Sequence, residues 1–272
     1  MALVPATDGG EAIVREWLRP LPVVDGVHRL PGADSRMEFA RLYAEVRRAE
    51  GRALSDARLA RLPRTDADDP LAGEWAIRAA SLRMLLRHLG QRRGHRPHAI
   101  LDVGCGNGWM SAHLAGLPGA LVVGLDAVHE ELAQAARAFP RVAFVQGDAT
   151  SDALPGGAFD AVVMAASLQY LPDAAGAVRR LLPCLTDGGA LHVLDTPLYR
   201  EGEREAARER TLEHYGRMGV PGMAVHYHHH LLADLLPLAS RVLYDPRAPG
   251  PRLKAALTGR PGPTFPWLVF GR

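Results

Sequence analysis

A run of alternate glycines and three aspartates are the residues best placed to do chemistry in this chain. Leu101-Asp102-Val103-Gly104-Cys105-Gly106-Asn107-Gly108 carries an apolar run into a turn with glycine at every second position. Glycine lets the backbone come close to a ligand and adopt turn conformations closed to other residues. A helix starting there offers unpaired N–H groups in its first turn. Leu125-Asp126 ends the next apolar run, where a carboxylate can accept protons from two ribose hydroxyls. Gln146-Gly147-Asp148-Ala149 ends the one after. An acid there can accept from a purine amino group while the next backbone N–H donates to the ring. Together these residues fit a cofactor that carries a nucleoside. A dinucleotide fingerprint would need a third glycine where Trp109 stands, for close helix–strand packing. An NAD(P)-dependent oxidoreductase is therefore the weaker alternative.

The elements that must hold these residues follow from the apolar pattern. Residues 99–103, 121–125, 142–145, 161–164 and 190–194 are short apolar runs, with helical segments between most of them. That rhythm predicts an α/β fold built from parallel strand–helix–strand units. Before them, Ser35-Arg36-Met37-Glu38 predicts a capping box. Phe39, Leu42, Tyr43 and Val46 follow at helical spacing, and Gly51 stops the helix. Asp69-Pro70 predicts a second helix start, with Trp75, Ala79, Leu82, Leu85, Leu86 and Leu89 as its apolar stripe. After residue 198 come a charged helix (201–218), a histidine-rich segment, a strand (241–244), a Pro/Gly-rich connector (245–266) and a last strand (267–270).

In this order the segments resemble class I S-adenosylmethionine (SAM)-dependent methyltransferases, of the type 11/25-like bacterial small-molecule kind. Asp102 to Gly108 matches the glycine-rich motif, Asp126 the ribose acid and Asp148 the adenine acid. Phe159-Asp160-Ala161-Val162-Val163 and on to Ala166 resembles the fourth-strand motif, and Leu182-Pro183 with Asp187-Gly188-Gly189 the approach to strand five. The resemblance implies a Rossmann-like, mostly parallel, seven-stranded sheet of order 3-2-1-4-5-7-6 with strand seven antiparallel. It implies a helical extension or lid over residues 1–94, a SAM-binding core over 95–272 and a substrate-side insertion at about 198–236. The cofactor it implies is SAM, held by Asp102, Gly104, Cys105, Gly106, Asp126, Ala127, Gly147, Asp148, Ala149 and the carbonyl of Ala165. Residues 23–30 look like the tail of a small zinc-ribbon-like element that lacks cysteines here. Glu74-Trp75-Ala76-Ile77-Arg78 resembles the aromatic and arginine run ahead of the core, which implies that Arg78 pairs with the SAM carboxylate through its planar fork.

The resemblance implies methyl transfer to an O, N or C atom of a small molecule. In-line displacement needs a positioned acceptor, and an O or N acceptor often needs a base. His226-Tyr227-His228-His229-His230 is the most visible source of one. On a helix His226, His229 and His230 share a face; on a strand His226, His228 and His230 do. We take His226, His229, His230 and Tyr199 as acceptor-side candidates, with surface packing as the plain alternative and no metal site expected. A SAM-binding protein that transfers no methyl is the other alternative.

Other classes are disfavoured. The Asn/Asp-Pro-Pro-Tyr/Phe run of nucleobase amino-methyltransferases is absent from 164–170. The formal charge of +2 is spread along the chain and Lys254 is the only lysine, so no concentrated basic face for nucleic acid is expected. Cys105 and Cys184 form no CxxC, which fits a reducing cytoplasm. Residues 1–11 carry acid without an apolar run, so no signal peptide is expected. Residues 103–125 are uncharged but broken by glycines, Asn107, His113 and Pro118, a poor membrane span. A monomer or homodimer is expected. With 272 residues and 47% apolar side chains, one large domain with additions can bury a sizeable core.

Overall fold

The computed structural model describes residues 9–66, 68–91, 99–251, 257 and 262–271. One mixed sheet runs through it. Its strands are β1 (Val23–Val24), β2 (Val27–Arg29), β3 (Ala99–Val103), β4 (Leu121–Asp126), β5 (Ala143–Gln146), β6 (Phe159–Ala165), β7 (Leu185–Leu194), β8 (Arg241–Tyr244) and β9 (Trp267–Gly271). The order is β1-β2-β5-β4-β3-β6-β7-β9-β8. From β5 to β8 this is the expected seven-strand order, with β9 antiparallel to β7 and β8.

The two extra strands correct the expected count of seven to nine. Residues 23–30 form a hairpin built into the sheet. Asp25 and Gly26 both take positive φ (52° and 78°), the type I′ geometry that closes a two-residue hairpin. β1 and β2 pair antiparallel across it, and β2 then runs parallel to β5 with Val27 opposite Phe144. Leu30 continues the pairing by donating its N–H to the Gln146 carbonyl at 3.0 Å. The hairpin thereby covers the edge of the strand that leads to Asp148.

Buried strands between helices read as continuous apolar runs because both faces need apolar cover. On one face Leu101, Val103, Val123, Val162, Met164 and Val193 pack under α1 (Gly9–Leu18) and α7 (Ala174–Leu181). On the other, Ile100, Val122, Phe144 and Val163 pack under α4 (Ala72–Gln91), α5 (Trp109–Leu114) and α6 (His129–Ala138). Trp75, Leu82, Leu85 and Leu89 of the predicted stripe are buried. The Asp69 carboxylate accepts from Leu71 N–H at 2.8 Å, as a cap should. The expected division at residue 94 falls among residues 92–98, outside the described residues, as does part of the 245–266 connector.

A third cluster roofs the carboxyl edge of the sheet. Phe39, Leu42 and Val46 of α2 (Met37–Ala49) pack against Val128, Tyr215, Val220 and Met223. Tyr215 lies on α8 (Arg204–Arg217); Val220 and Met223 lie in and beside a 3-10 turn, Pro221–His226. Two short helices, α3 (Asp56–Leu59) and α9 (Leu232–Leu235), complete the described set. The α2 C-terminus is as predicted. Gly51 sits at φ 68° while Arg52 N–H reaches back to the Arg47 carbonyl at 2.8 Å, a Schellman closure. Its N-terminus is not as predicted. Ser35 lies inside a 3-10 turn, Ala33–Arg36, and α2 starts at Met37 without a side-chain cap. Arg36 fixes the start instead, by donating to the Tyr170 carbonyl at 2.8 Å.

Gly108 links the loop to the core. It takes φ 72°, and a Cβ there would stand 2.6 Å from the ring of Phe144, which is fully buried. Left-handed backbone plus overpacking against a trapped ring gives an expected cost of about 2–4 kcal/mol for Gly108→Ala. Urea unfolding of the variant measures it, and a change under 1 kcal/mol would refute this account of the position.

Candidate functional site

The glycine loop is curled over the end of the neighbouring strand. Gly104 and Cys105 both donate N–H to the Leu125 carbonyl, at 2.7 and 3.1 Å. Gly106 donates N–H to Asp126 Oδ2 at 2.8 Å, and Val128 N–H donates to Asp126 Oδ1 at 2.9 Å. The Asp126 carboxylate is thus gripped by backbone on both sides. Gly104 must be glycine for a second reason. A Cβ would lie 2.3 Å from Ser167 Cβ, where Ser167 Oγ bonds the Val103 carbonyl at 2.7 Å.

Two compartments open along the carboxyl edge and share Tyr43, Gly104, Ala166 and Tyr170. The first is mainly apolar, walled by Phe39, Val103, Leu125, Val128, Met164 and Leu171, and holds Asp126, Ala127, Gly147, Asp148 and Ala149. The second is polar, with Arg47, Arg52, Arg78, Asp102, Cys105, Gly106, Glu131, Ala165, Gln169 and Asp195. Every expected cofactor residue lies on one of the two walls, and Asp126 and Asp148 face the same one.

Burial sets the electrostatics. Asp102 is 2% exposed and accepts from Ser111 Oγ at 2.6 Å. Burial pushes its carboxyl up to about 7, with Ser111 opposing and Asp126 adding. Burial pushes Asp126 up to about 6, and the Glu131 charge adds to it. Glu131 accepts from Arg47 Nε at 2.8 Å, which joins α6 to the roof. Asp148 is braced by Thr150 N–H at 2.7 Å, and Arg36 Nε stands 3.6 Å from it. The Cys105 thiol is buried and its pKa is raised by that burial and by the nearby acids, so it is no nucleophile.

The expected acceptor-side residues are placed elsewhere. None of His226, His229, His230 and Tyr199 lines either compartment. His226 ends the 3-10 turn, and residues 227–230 are neither helix nor strand but an extended tether. His229 Nε2 pairs with Thr211 Oγ1 at 2.8 Å and His230 Nε2 with the Leu168 carbonyl at 3.2 Å. Burial lowers the pKa of both rings. Tyr199 packs on His229 at 5.3 Å between ring centroids, and His226 packs edge-on to Phe39 at 5.7 Å. These contacts hold residues 198–236 against the back of the roof. Among the described residues no group of three or more His, Cys, Asp or Glu could hold a metal ion. Nor is any described helix long and apolar enough to cross a membrane.

Residues not anticipated stand in their place: Tyr43, Arg47, Arg52, Glu131, Gln169, Tyr170 and Asp195. Asp195 could have been found, because it follows the fifth apolar run as Asp126 and Asp148 follow theirs.

Residues 100–189 match the family described as "Methyltransferase domain". These residues are similar to that domain. A trans-aconitate 2-methyltransferase of Acidovorax sp. (strain JS42) is 37% identical over 155 residues, which is 54% of this chain and 58% of that protein. A demethylmenaquinone methyltransferase of Chlorobaculum tepidum is 30% identical over 110 residues, 40% of this chain and 46% of its own. The chain therefore spans about half the length of these curated relatives. Two solved structures share the fold. The plantazolicin methyltransferase BpumL in complex with SAH covers 88% of this chain and 98% of its own, at TM-score 0.53 and 16% identity. The [4+2]-cyclase SpnF covers 78% and 72%, at TM-score 0.51 and 22% identity.

The Arg47–Glu131 pair is the roof's tie to α6, each side chain 14% exposed. Arg47→Met leaves Glu131 charged, poorly solvated and close to Asp126. The expected cost is about 3 kcal/mol, most of it recovered in Arg47→Met/Glu131→Gln. Chemical denaturation of the two singles and the double checks it, and additive losses would contradict the coupling.

Proposed function

We propose that this protein is a SAM-dependent methyltransferase acting on an O, N or C atom of a small molecule. One observation carries the reading. Asp126 and Asp148, tips of consecutive parallel strands, face a single apolar chamber that opens past the glycine loop into a polar one.

The residues present suit such a cofactor. Each Asp126 oxygen already accepts one backbone N–H, and carboxylate oxygens have further lone pairs for the ribose hydroxyls. Asp148 and the Ala149 N–H would meet the purine edge, between apolar walls and under Phe39. In the polar chamber Arg52 Nη1 is buried without a partner, which suits the amino-acid carboxylate. Arg78 lines the same chamber, although Glu74 accepts two of its N–H groups at 3.0 and 2.7 Å. The carbonyl of Ala165 and the loop backbone would take the ammonium. Trp109 is buried at the first position of α5, edge-on to Trp75 at 5.4 Å, which fills the crossover a dinucleotide would require. That supports SAM over NAD(P).

When bound, SAM supplies a methyl on a sulfonium. What the chain contributes is position, dryness and field. Phe39, Tyr43 and Tyr170 close the chamber from water. Asp102, Asp126 and Glu131 put negative charge around the place a sulfonium would occupy, a preorganised field of the kind that favours cations. Residues 1–94 act as extension and lid, and 198–236 brace it. The acceptor is a small molecule rather than nucleic acid. We take the protein as a cytoplasmic monomer or homodimer, consistent with two buried free cysteines.

Isothermal titration calorimetry tests the reading. Asp126→Asn should weaken SAM and its demethylated product by roughly tenfold or more, the worth of a charge-assisted bond pair. Arg78→Ala should weaken SAM several-fold. In the wild type the carboxyls near 6 and 7 are partly protonated at pH 6 and ionised at pH 8. A net cationic ligand favours the ionised forms. SAM affinity should therefore rise from pH 6 to 8 and then level, and rise more than that of the product, whose sulfur is neutral. Absence of binding to either ligand ends the proposal.

A further inference from the structure

Asp195 and Gln169 are unexplained by cofactor binding as drawn above. Asp195 follows the last residue of β7 and takes φ 53°; Ala166 follows the last residue of β6 and takes φ 55°. The two positions are adjacent, since Ala165 pairs with Leu194 and Ala166 N–H donates to the Leu194 carbonyl at 3.0 Å. Left-handed backbone costs a non-glycine residue about 1–2 kcal/mol. Such strain gathers where a site requires it. The remaining described non-glycine residue with positive φ, Asp25, sits in the hairpin turn that demands it.

The side chains at these tips are held with one face free. Ser81, 3% exposed on α4, donates to Asp195 Oδ1 at 2.5 Å, and among the described residues no hydrogen bond ties Oδ2. Gln169 is 6% exposed. Its Nε2 donates to the Ala166 carbonyl at 2.7 Å, which fixes the amide, and its Oε1 is buried with no donor among the described residues. Both line the polar chamber beside Ala165 and Gly104, at the end where a methyl donor would present its methyl. A buried acceptor atom without a donor costs stability unless a ligand supplies one. Arg47 is paired with Glu131 and Arg78 with Glu74, and Arg52 meets Glu50 and Glu74 through Nε and Nη2, so that its Nη1 is left for the cofactor carboxylate rather than for the acceptor.

We propose that Asp195 and Gln169 form the acceptor subsite, and that the acceptor is a small molecule presenting an O–H or N–H rather than a carboxylate. This rests on the SAM reading of the adjoining chamber. Gln169 Oε1 and Asp195 accept from the acceptor and aim its lone pair. The lone pair forms the new bond to the methyl carbon, the carbon–sulfur pair returns to sulfur and neutralises the sulfonium, and the acceptor's proton passes to the Asp195 carboxylate and then to solvent. A carboxylate acceptor would bring no proton to either group and would meet a like charge.

Sinefungin tests this without knowledge of the acceptor, because its amine stands where the transferable methyl would be. Binding of sinefungin and of S-adenosylhomocysteine is measured by calorimetry on wild type, Asp195→Asn and Gln169→Leu. Asparagine tolerates left-handed backbone and can still accept from Ser81, so the fold is kept. The wild type should prefer sinefungin. Asp195→Asn should lose at least tenfold in sinefungin affinity with S-adenosylhomocysteine within twofold, and Gln169→Leu should lose less but with the same selectivity. Equal losses for both ligands, no loss for either, or no wild-type preference for sinefungin would overturn the subsite. Failure of the wild type to bind either ligand would instead bring down the SAM reading, and the subsite with it.

Discussion

Carboxylates buried at the carboxyl edge of one sheet are the constraint around which this molecule is organised. An ion removed from water must be hydrogen-bonded or paired. Asp126 meets that demand with the N–H groups of Gly106 and Val128, Asp102 with Ser111, and Glu131 with Arg47. Each solution fixes a different part of the fold. The first clamps the glycine loop to the tip of β4, the second seats α5 on β3, and the third ties the roof helix to α6. Loop conformation, helix placement and roof closure are therefore consequences of burying three acids within one crevice. Their mutual repulsion leaves the crevice receptive to a cation.

The core was legible because its signals are local. Each apolar run ends in the residue that matters, and alternate glycines report positive φ at 104, 106 and 108. Strand order followed from a resemblance whose motifs lie within a stretch of continuous sequence. The hairpin was not legible as such, although Asp25-Gly26 is a strong turn pair. Its strands span only Val23–Val24 and Val27–Arg29, and its partner β5 lies more than a hundred residues away. Ser35 failed as a cap for a related reason. The start of α2 is dictated by where Arg36 reaches Tyr170, a contact across 134 positions that outweighs a local capping preference.

The histidine run shows how composition misleads. A row of imidazoles suggests chemistry, yet here the rings bond a threonine and a carbonyl and pack on Tyr199 and Phe39. Burial keeps His229 and His230 disposed to the neutral form, which suits a tether. That tether supports Tyr215, Val220 and Met223, which in turn seat Phe39 and Val46 of the roof. The run packs against the roof, and His226 and His228 also line a groove with Arg36 and Asp148.

The sheet divides the labour between its two halves. Strands β4 and β5 end in acids gripped or braced by neighbouring backbone N–H groups, which is rigid and suits a ligand of fixed shape. Strands β6 and β7 are each followed by a left-handed residue, Ala166 and Asp195, and Asp195 and the nearby Gln169 each keep an oxygen uncommitted among the described residues. Between them stands β3 with its glycine loop, shared by both compartments. A parallel sheet delivers all its carboxyl ends to one edge, so the two halves meet there without further machinery. Keeping the clamped half fixed while changing the uncommitted one would, on the proposed reading, let a single cofactor geometry serve different acceptors. On that proposed reading, the side chains that follow β6 and β7 would set what is methylated, and those that follow β4 and β5 what methylates it.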